Sequence, residues 1–296
     1  MSPHRLVRHA VLVAALLVPS LGACAAPRPD TPPPPVVVRA PVAVSKTSAP
    51  PPDVRVDLTG LVTIDPTHVV PGLPGLDGLT QLASDDPALG RWRTVVVVRD
   101  TAAYATPGGG SATPVGVLPA RTFQARTVVP VVDERPGWLR VMVAARGALP
   151  SRDATRTNER TAWIRTGDTQ PAGTDWRITV STARQTMTVD DGTAVTTYPV
   201  LATGSPSRPT PPRPQFVVGT FWTDPGSTTP RIILLSSQSE TMDDYDRATG
   251  TSATAFHTTT LASRGEVSNG CIRVSDDVLD VLWRAVPAGT LVLVTP

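Results

Sequence analysis

The chain has 296 residues, a formal net charge of +2 and only two cysteines. That length suits one large or two modest domains. The nearly balanced charge, with no basic stripe interleaved with aromatics, excludes a nucleic-acid binder. Proline is heavily used, at 33 residues, and Lys46 is the only lysine, which reads as genome composition rather than function. Thr, Val and Gly are abundant while helical periodicity is scarce, so the chain is predicted to be mainly β.

The start has the pattern of an export leader. Arg5 and Arg8 precede an apolar run from Ala10 to Val18, too short to cross a bilayer as a mature helix. Leu21, Gly22 and Ala23 then lead into Cys24. This resembles a lipoprotein box. The resemblance implies removal of residues 1–23, lipidation of Cys24, and a protein tethered to the outer face of the cytoplasmic membrane that acts in the cell wall. With Cys24 acylated, Cys271 has no disulfide partner. A lone thiol in an oxidising compartment is a liability unless it is buried or used.

Residues 24–56 are too rich in proline for a helix or a central strand and read as an extended spacer. Residues 57–90, with short apolar words among Gly, Pro and Asp, are expected to be an irregular lead-in. Strand signals begin in residues 91–170: "RTVVVV", "PVGVLPARTFQARTVVPVVDE", "GWLRVMVA" and "TAWIRTGD", separated by turn words. Short strands at this spacing predict a small barrel or sandwich. The "GWLRV" and "TAWIR" segments resemble bacterial SH3-like modules, and Trp138 and Trp163 read as core residues.

Residues 174–296 form a second β region. "RITVS" and "QTMTV" alternate, and Asp191-Gly192 is a hairpin word. "QFVVGTFW", "RIILLSS" and the final "LVLVTP" are further strands. "SDDVLDVLWRAV" predicts the main helix, with Ser275 as cap, Asp276 and Asp277 at its positive end, and Val278, Leu279, Val281 and Leu282 as its apolar face.

The chemistry gathers at "SNGC", Ser268 to Cys271. A thiol attacks an acyl carbon as thiolate and needs a base or a positive environment. Outside the leader the histidines are His68 and His257, and His257 stands 14 residues before Cys271. That spacing lets a strand carrying the histidine return through a loop to the cysteine. One cysteine and one histidine cannot close a structural zinc site, and nothing in the chain calls for a cofactor. Gly270 would let backbone approach a reacting carbonyl, with the N–H groups of Gly270 and Cys271 as oxyanion donors.

"FHTTT" followed by "VSNGCIRV" resembles the signature of the L,D-transpeptidase (YkuD-type) catalytic domain, in which a histidine precedes Ser-His-Gly-Cys, an apolar residue and Arg or Asn. The stretch "YPVLATGSPSRPTPPRPQFVV" is similar to that family's strand, Thr-Gly, Thr-Pro and second strand. The resemblance implies a β-sandwich-like domain with few helices, and Cys271 as nucleophile with His257 as base. It also implies substrate or oxyanion contacts from Ser268, Asn269, Gly270 and Arg273. Peptidoglycan stem peptides are then the substrate, carbapenem-type β-lactams the inhibitors, and a 3→3 cross-link or exchange of the terminal D-Ala the outcome. Tyr245 and the acidic Asp243–Asp246 segment are expected in a loop over the cleft. The sequence departs from the family pattern at Asn269, where histidine is usual, and at Thr258, where glycine is common. "RPTPPRPQF" also lacks the family's glycine. An L,D-carboxypeptidase or amidase, and a non-catalytic wall-binding lipoprotein, remain alternatives on this reading.

Overall fold

The computed structural model describes residues 56–108, 112–223, 226–246, 251–259 and 263–296. The leader, Cys24 and nearly all of the proline-rich spacer lie outside them. The first half holds β1 (Trp92–Val97), β2 (Thr101–Ala103), β3 (Gly116–Leu118), β4 (Arg121–Thr122), β5 (Ala125–Arg126), β6 (Val128–Arg135), β7 (Trp138–Val143), a single-turn helix α1 (Pro150–Asp153), β8 (Arg160–Arg165) and β9 (Thr169–Thr174). The long strands make an antiparallel five-stranded sheet in the order β8-β7-β6-β1-β9. Trp138 and Trp163 are buried in a satellite cluster with Tyr104 and Ala102. The Arg165 guanidinium lies 3.8 Å from the centre of the Trp138 ring and that of Arg135 5.0 Å from Trp163, so each indole is capped by a cation.

The lead-in is irregular but not loose. It pairs with other segments through isolated bridges, such as Thr63 with Val117 and Val69 with Arg146, and its Pro66 and Gly75 carbonyls accept from Gln238 and Arg140. It nevertheless inserts Ile64, Val70 and Leu73 into the main core.

The second half holds β10 (Arg177–Ser181), β11 (Thr186–Asp190), β12 (Val195–Pro199), β13 (Ala202–Gly204), β14 (Pro214–Trp222), β15 (Arg231–Gln238), β16 (Ala253–His257), β17 (Gly265–Ser268), β18 (Ile272–Arg273), helix α2 (Asp276–Ala285) and β19 (Leu291–Thr295). These strands form one ten-stranded sheet in the order β12-β11-β10-β19-β14-β15-β16-β18-β13-β17. The Asp191-Gly192 hairpin joins β11 to β12, with Gly192 at φ +91° and the Asp191 carboxylate accepting from the Thr193 and Ala194 N–H groups. The fold is thus mainly β, with few helices.

Helix α2 differs from its sequence reading in two details. Val278, Leu279 and Leu282 are buried, whereas Val281 is exposed. The buried trio spans one arc of the helix, and Val281 falls beyond its edge at 100° per residue. Ser275 occupies the N-cap position in extended backbone, but its side chain makes no capping hydrogen bond.

The two halves share a core. Strands β14, β15 and β19 are buried on both faces. Phe216, Val218, Leu234 and Leu291 point into the cluster built from the first half, among Val95, Val131 and Val141. Val217, Ile233, Leu235 and Val292 point the other way, into the cluster with α2. Buried polar contacts reinforce the junction. Asn158 Nδ2 donates to the Gln238 carbonyl at 2.8 Å, and Gln238 N–H returns to Asn158 Oδ1 at 2.8 Å.

Because one wall serves both cores, we expect the halves to unfold together. Leu234→Ala should lower stability by about 2–5 kcal/mol in a single urea transition seen alike by far-UV circular dichroism and tryptophan fluorescence. Two separated transitions would contradict the shared wall.

Candidate active site

The sheet order brings Cys271 to His257. Strand β18 pairs in parallel with β16, Phe256 opposite Ile272 and His257 opposite Arg273. Side chains alternate along a strand. Phe256 and Ile272 therefore share the buried face, both fully enclosed in the core. His257 and Arg273 share the other face, and Cys271 immediately precedes β18. Strand rise and spacing put the Cα atoms of His257 and Cys271 about 8 Å apart.

The loop that carries Cys271 is set by an unusual crossing. Strands β17 and β18 lie on opposite sides of β13, parallel and antiparallel to it respectively. The chain from Ser268 to Ile272 must therefore pass over the end of β13 at Gly204. Gly270 sits at φ +113° in this crossing. A Cβ there would meet only ordinary contacts, 3.5 Å to the Thr254 methyl and 3.6 Å to the Pro209 carbonyl. Glycine is required by the backbone angle, not by lack of room.

Ser268 ties the turn together. It is buried, its Oγ donates to the Cys271 carbonyl at 2.6 Å, and it accepts the Gly270 N–H at 3.1 Å. The Gly270 N–H is thus engaged with Ser268 Oγ, while the Cys271 N–H takes no part in this network. Ser268 itself bonds within the turn rather than to the imidazole.

The imidazole is buried and its tautomer is fixed. His257 Nδ1 lies 2.7 Å from the Thr258 carbonyl. A carbonyl only accepts, so Nδ1 carries the proton and Nε2 keeps a free lone pair. Burial holds the His257 pKa below its ordinary value, opposed by that hydrogen bond and assisted by the Arg273 charge. Burial pushes the Cys271 thiol up, with Arg273 acting in the opposite sense. Both shifts favour a resting pair of neutral thiol and neutral imidazole. The thiol makes a weak contact at 4.0 Å to the Ala253 carbonyl, and no Cys271–His257 hydrogen bond occurs among the described residues.

The remaining candidates are placed as follows. Arg273 donates through Nη1 to Ser263 Oγ at 2.9 Å, and its buried Nε has no partner among the described residues. Asn269 is half-buried, and its Oδ1 accepts from Arg208 at 2.6 Å. The acidic segment is pinned to the first half of the chain. Asp243 accepts from the Ser151 N–H at 2.9 Å and from its hydroxyl at 2.7 Å, and the Arg146 guanidinium donates to the Asp243 carbonyl. Tyr245 is exposed.

Sequence reasoning missed Arg208 and the polar floor beneath the turn. There Gln215, Ser237 and Thr254 are buried together, Ser237 Oγ lying 2.7 Å from Thr254 Oγ1 and also bonding to Gln215 Oε1. Arg208 and Asn269 are 61 residues apart in sequence, and no local pattern joins them.

Residues 175–294 match the YkuD family, described as the L,D-transpeptidase catalytic domain. Solved structures to which the chain is similar include an L,D-transpeptidase from Mycobacterium smegmatis, at 16% identity and a TM-score of 0.35 over 54% of this chain and 91% of that one. L,D-transpeptidase 3 from Mycobacterium tuberculosis, solved with a faropenem-derived adduct, has 15% identity and a TM-score of 0.36 over 54% and 92%. The catalytic domain of the E. faecium L,D-transpeptidase has 21% identity and a TM-score of 0.28 over 41% and 97%. No curated sequence shows significant similarity to the chain.

The lowered His257 pKa has a consequence for stability. The unfolded chain takes up this proton below about pH 6.5, the folded chain only further down. Acidification through that window therefore favours unfolding. We expect the urea midpoint to fall between about pH 7 and pH 5, and to fall less in His257→Gln; equal losses in the two proteins would remove His257 as a cause.

Proposed function

We propose that this chain, which carries an L,D-transpeptidase catalytic domain in residues 175–294, transfers acyl groups of peptidoglycan stem peptides through a thioester on Cys271. The observation that carries the reading is the His257 tautomer. Its Nδ1–H is held by the Thr258 carbonyl, which leaves Nε2 its lone pair, and its strand pairs with the short strand that Cys271 immediately precedes.

In the proposed sequence, His257 Nε2 takes the thiol proton as Sγ attacks the donor carbonyl carbon. Charge on the carbonyl oxygen is met by the Cys271 N–H and by donors of the crossing loop. The imidazolium returns its proton to the departing amine, and D-Ala leaves a thioester behind. An acceptor amine from a neighbouring stem then attacks the thioester, His257 accepts a proton from that amine and gives it back to the leaving thiolate. The result is a 3→3 cross-link. A neutral resting pair suits this order, because the proton moves with the attack instead of before it. Arg273 lies on the same face as His257 with an unpartnered buried Nε, which supports a role in holding a carboxylate of the donor. With water as acceptor, the same intermediate gives L,D-carboxypeptidase activity.

Lipidation at Cys24 belongs to the same proposal, as a tether that keeps the domain at the wall outside the cytoplasmic membrane. Cys24→Ser should then move the protein from the membrane fraction to the soluble one.

Incubation with a carbapenem should add one drug mass to the wild-type chain and none to Cys271→Ser, by intact mass spectrometry. His257→Ala should slow that acylation by about 10²–10⁴-fold. Unchanged acylation in His257→Ala would remove the base. Tetrapeptide donor given with and without an amine acceptor separates cross-linked dimer from hydrolysed tripeptide.

A further inference from the structure

The crossing loop is gripped by the segment that leaves β13. Gly204 N–H donates to Thr210 Oγ1 at 2.9 Å, and the Arg208 N–H closes onto the Ser205 carbonyl at 2.9 Å. The segment folds back so tightly that a Cβ on Gly204 would stand 2.2 Å from the Thr210 nitrogen and 2.4 Å from the Arg208 carbonyl. Its outer surface meets the nucleophile loop at successive residues. The Ser205 N–H donates to the Ser268 carbonyl at 2.9 Å, the Pro209 carbonyl faces Gly270, and Arg208 Nη1 donates to Asn269 Oδ1 at 2.6 Å.

That last contact decides which way the Asn269 amide faces. A guanidinium has only donors. The atom turned to Arg208 is therefore the carbonyl oxygen, and the Nδ2 group with its two hydrogens is turned away. Nδ2 has no protein acceptor among the described residues. Asn269 stands two residues before the nucleophile, on the loop whose Gly270 N–H is already spent on Ser268. The loop thus carries one oriented amide beside the Cys271 N–H.

We propose that Arg208 is a positioning residue that fixes the Asn269 amide so that Nδ2 donates to the acyl oxygen of the substrate as Cys271 attacks. The inference rests on the acyl-transfer reading above and adds to it a specific donor and the residue that aims it. Arg208 touches no reacting atom; it acts through Asn269 alone. Replacing Arg208 frees the amide to rotate or flip and leaves the thiol and the base in place.

The test is a double-mutant cycle on Arg208→Ala and Asn269→Ala, with Arg208→Lys as the conservative variant. The main readout is the limiting rate of Cys271 acylation by a carbapenem. A second readout is alkylation of Cys271 by iodoacetamide, a displacement at carbon that develops no oxyanion. Asn269→Ala should slow acylation by about a hundredfold and Arg208→Ala by about tenfold. Arg208→Lys should recover part of the loss. Alkylation should stay within about twofold of wild type in all variants, since no oxyanion donor is used there. In the Asn269→Ala background, Arg208→Ala should cost nothing further.

Equal acylation by wild type and Arg208→Ala would overturn the proposal, as would additive losses in the double variant. A parallel loss of alkylation would overturn it too, since that marks a disturbed loop. A wild-type chain that alkylates at Cys271 but takes no carbapenem would sink the transpeptidase reading itself, and this inference with it.

Discussion

The whole arrangement depends on a sheet that is apolar on both faces. Strands β14, β15 and β19 carry one set of side chains into the cluster with the first half and the alternate set into the cluster with α2. Exposing either face would return several large side chains to water at about 25 cal/mol per Å². The first half of the chain is therefore not an appendage. It supplies one wall of the core on which the strands beside the site are laid. The Asn158–Gln238 exchange extends this grip toward β16, because Gln238 Oε1 accepts the Ser252 N–H just before that strand begins. His257 is thus positioned through contacts that start on the other half of the chain.

A second constraint is topological. Strands β17 and β18 straddle β13, so the loop between them has no choice but to bridge its end. A bridge of so few residues cannot be built from helical or extended backbone throughout, and Gly270 takes the left-handed angle that the turn demands. Ser268 then closes the turn from within, and the β13 exit segment closes it from beneath. Cys271 sits on a short, over-determined loop, which limits how far its sulfur can stray.

Much of this was legible from the sequence. Period-two runs such as "RITVS" and "QTMTV" and the Asp191-Gly192 turn carry their own local signal, and they became β10, β11 and the hairpin to β12. The unbroken runs "QFVVGTFW" and "RIILLSS" read as strands, and their lack of alternation has its cause in burial on both faces. What could not be read is what depends on pairing at a distance. Nothing local says that Asn158 meets Gln238, that Asp243 is held by Ser151, or that Arg208 reaches Asn269. The helix face was over-read at Val281 for a related reason. Its apolar character is local, but which arc of α2 faces the sheet is settled by packing.

Electrostatics then limits what the site can do at rest. Burial disfavours the charged form of each group, raising the thiol and lowering the imidazole. Arg273 acts on both in one sense: it favours the thiolate and disfavours the imidazolium. It therefore stabilises one product of the transfer while opposing the other. A substrate carboxylate paired with Arg273 would cancel its charge, making His257 a stronger base and Cys271 a weaker acid together. On the proposed reading, such a change still favours a neutral resting pair. Ionisation then has to be driven by the bond being formed at the acyl carbon and by the donors aimed at its oxygen. In a site where burial opposes a standing ion pair, that places the catalytic burden on the geometry of the crossing loop.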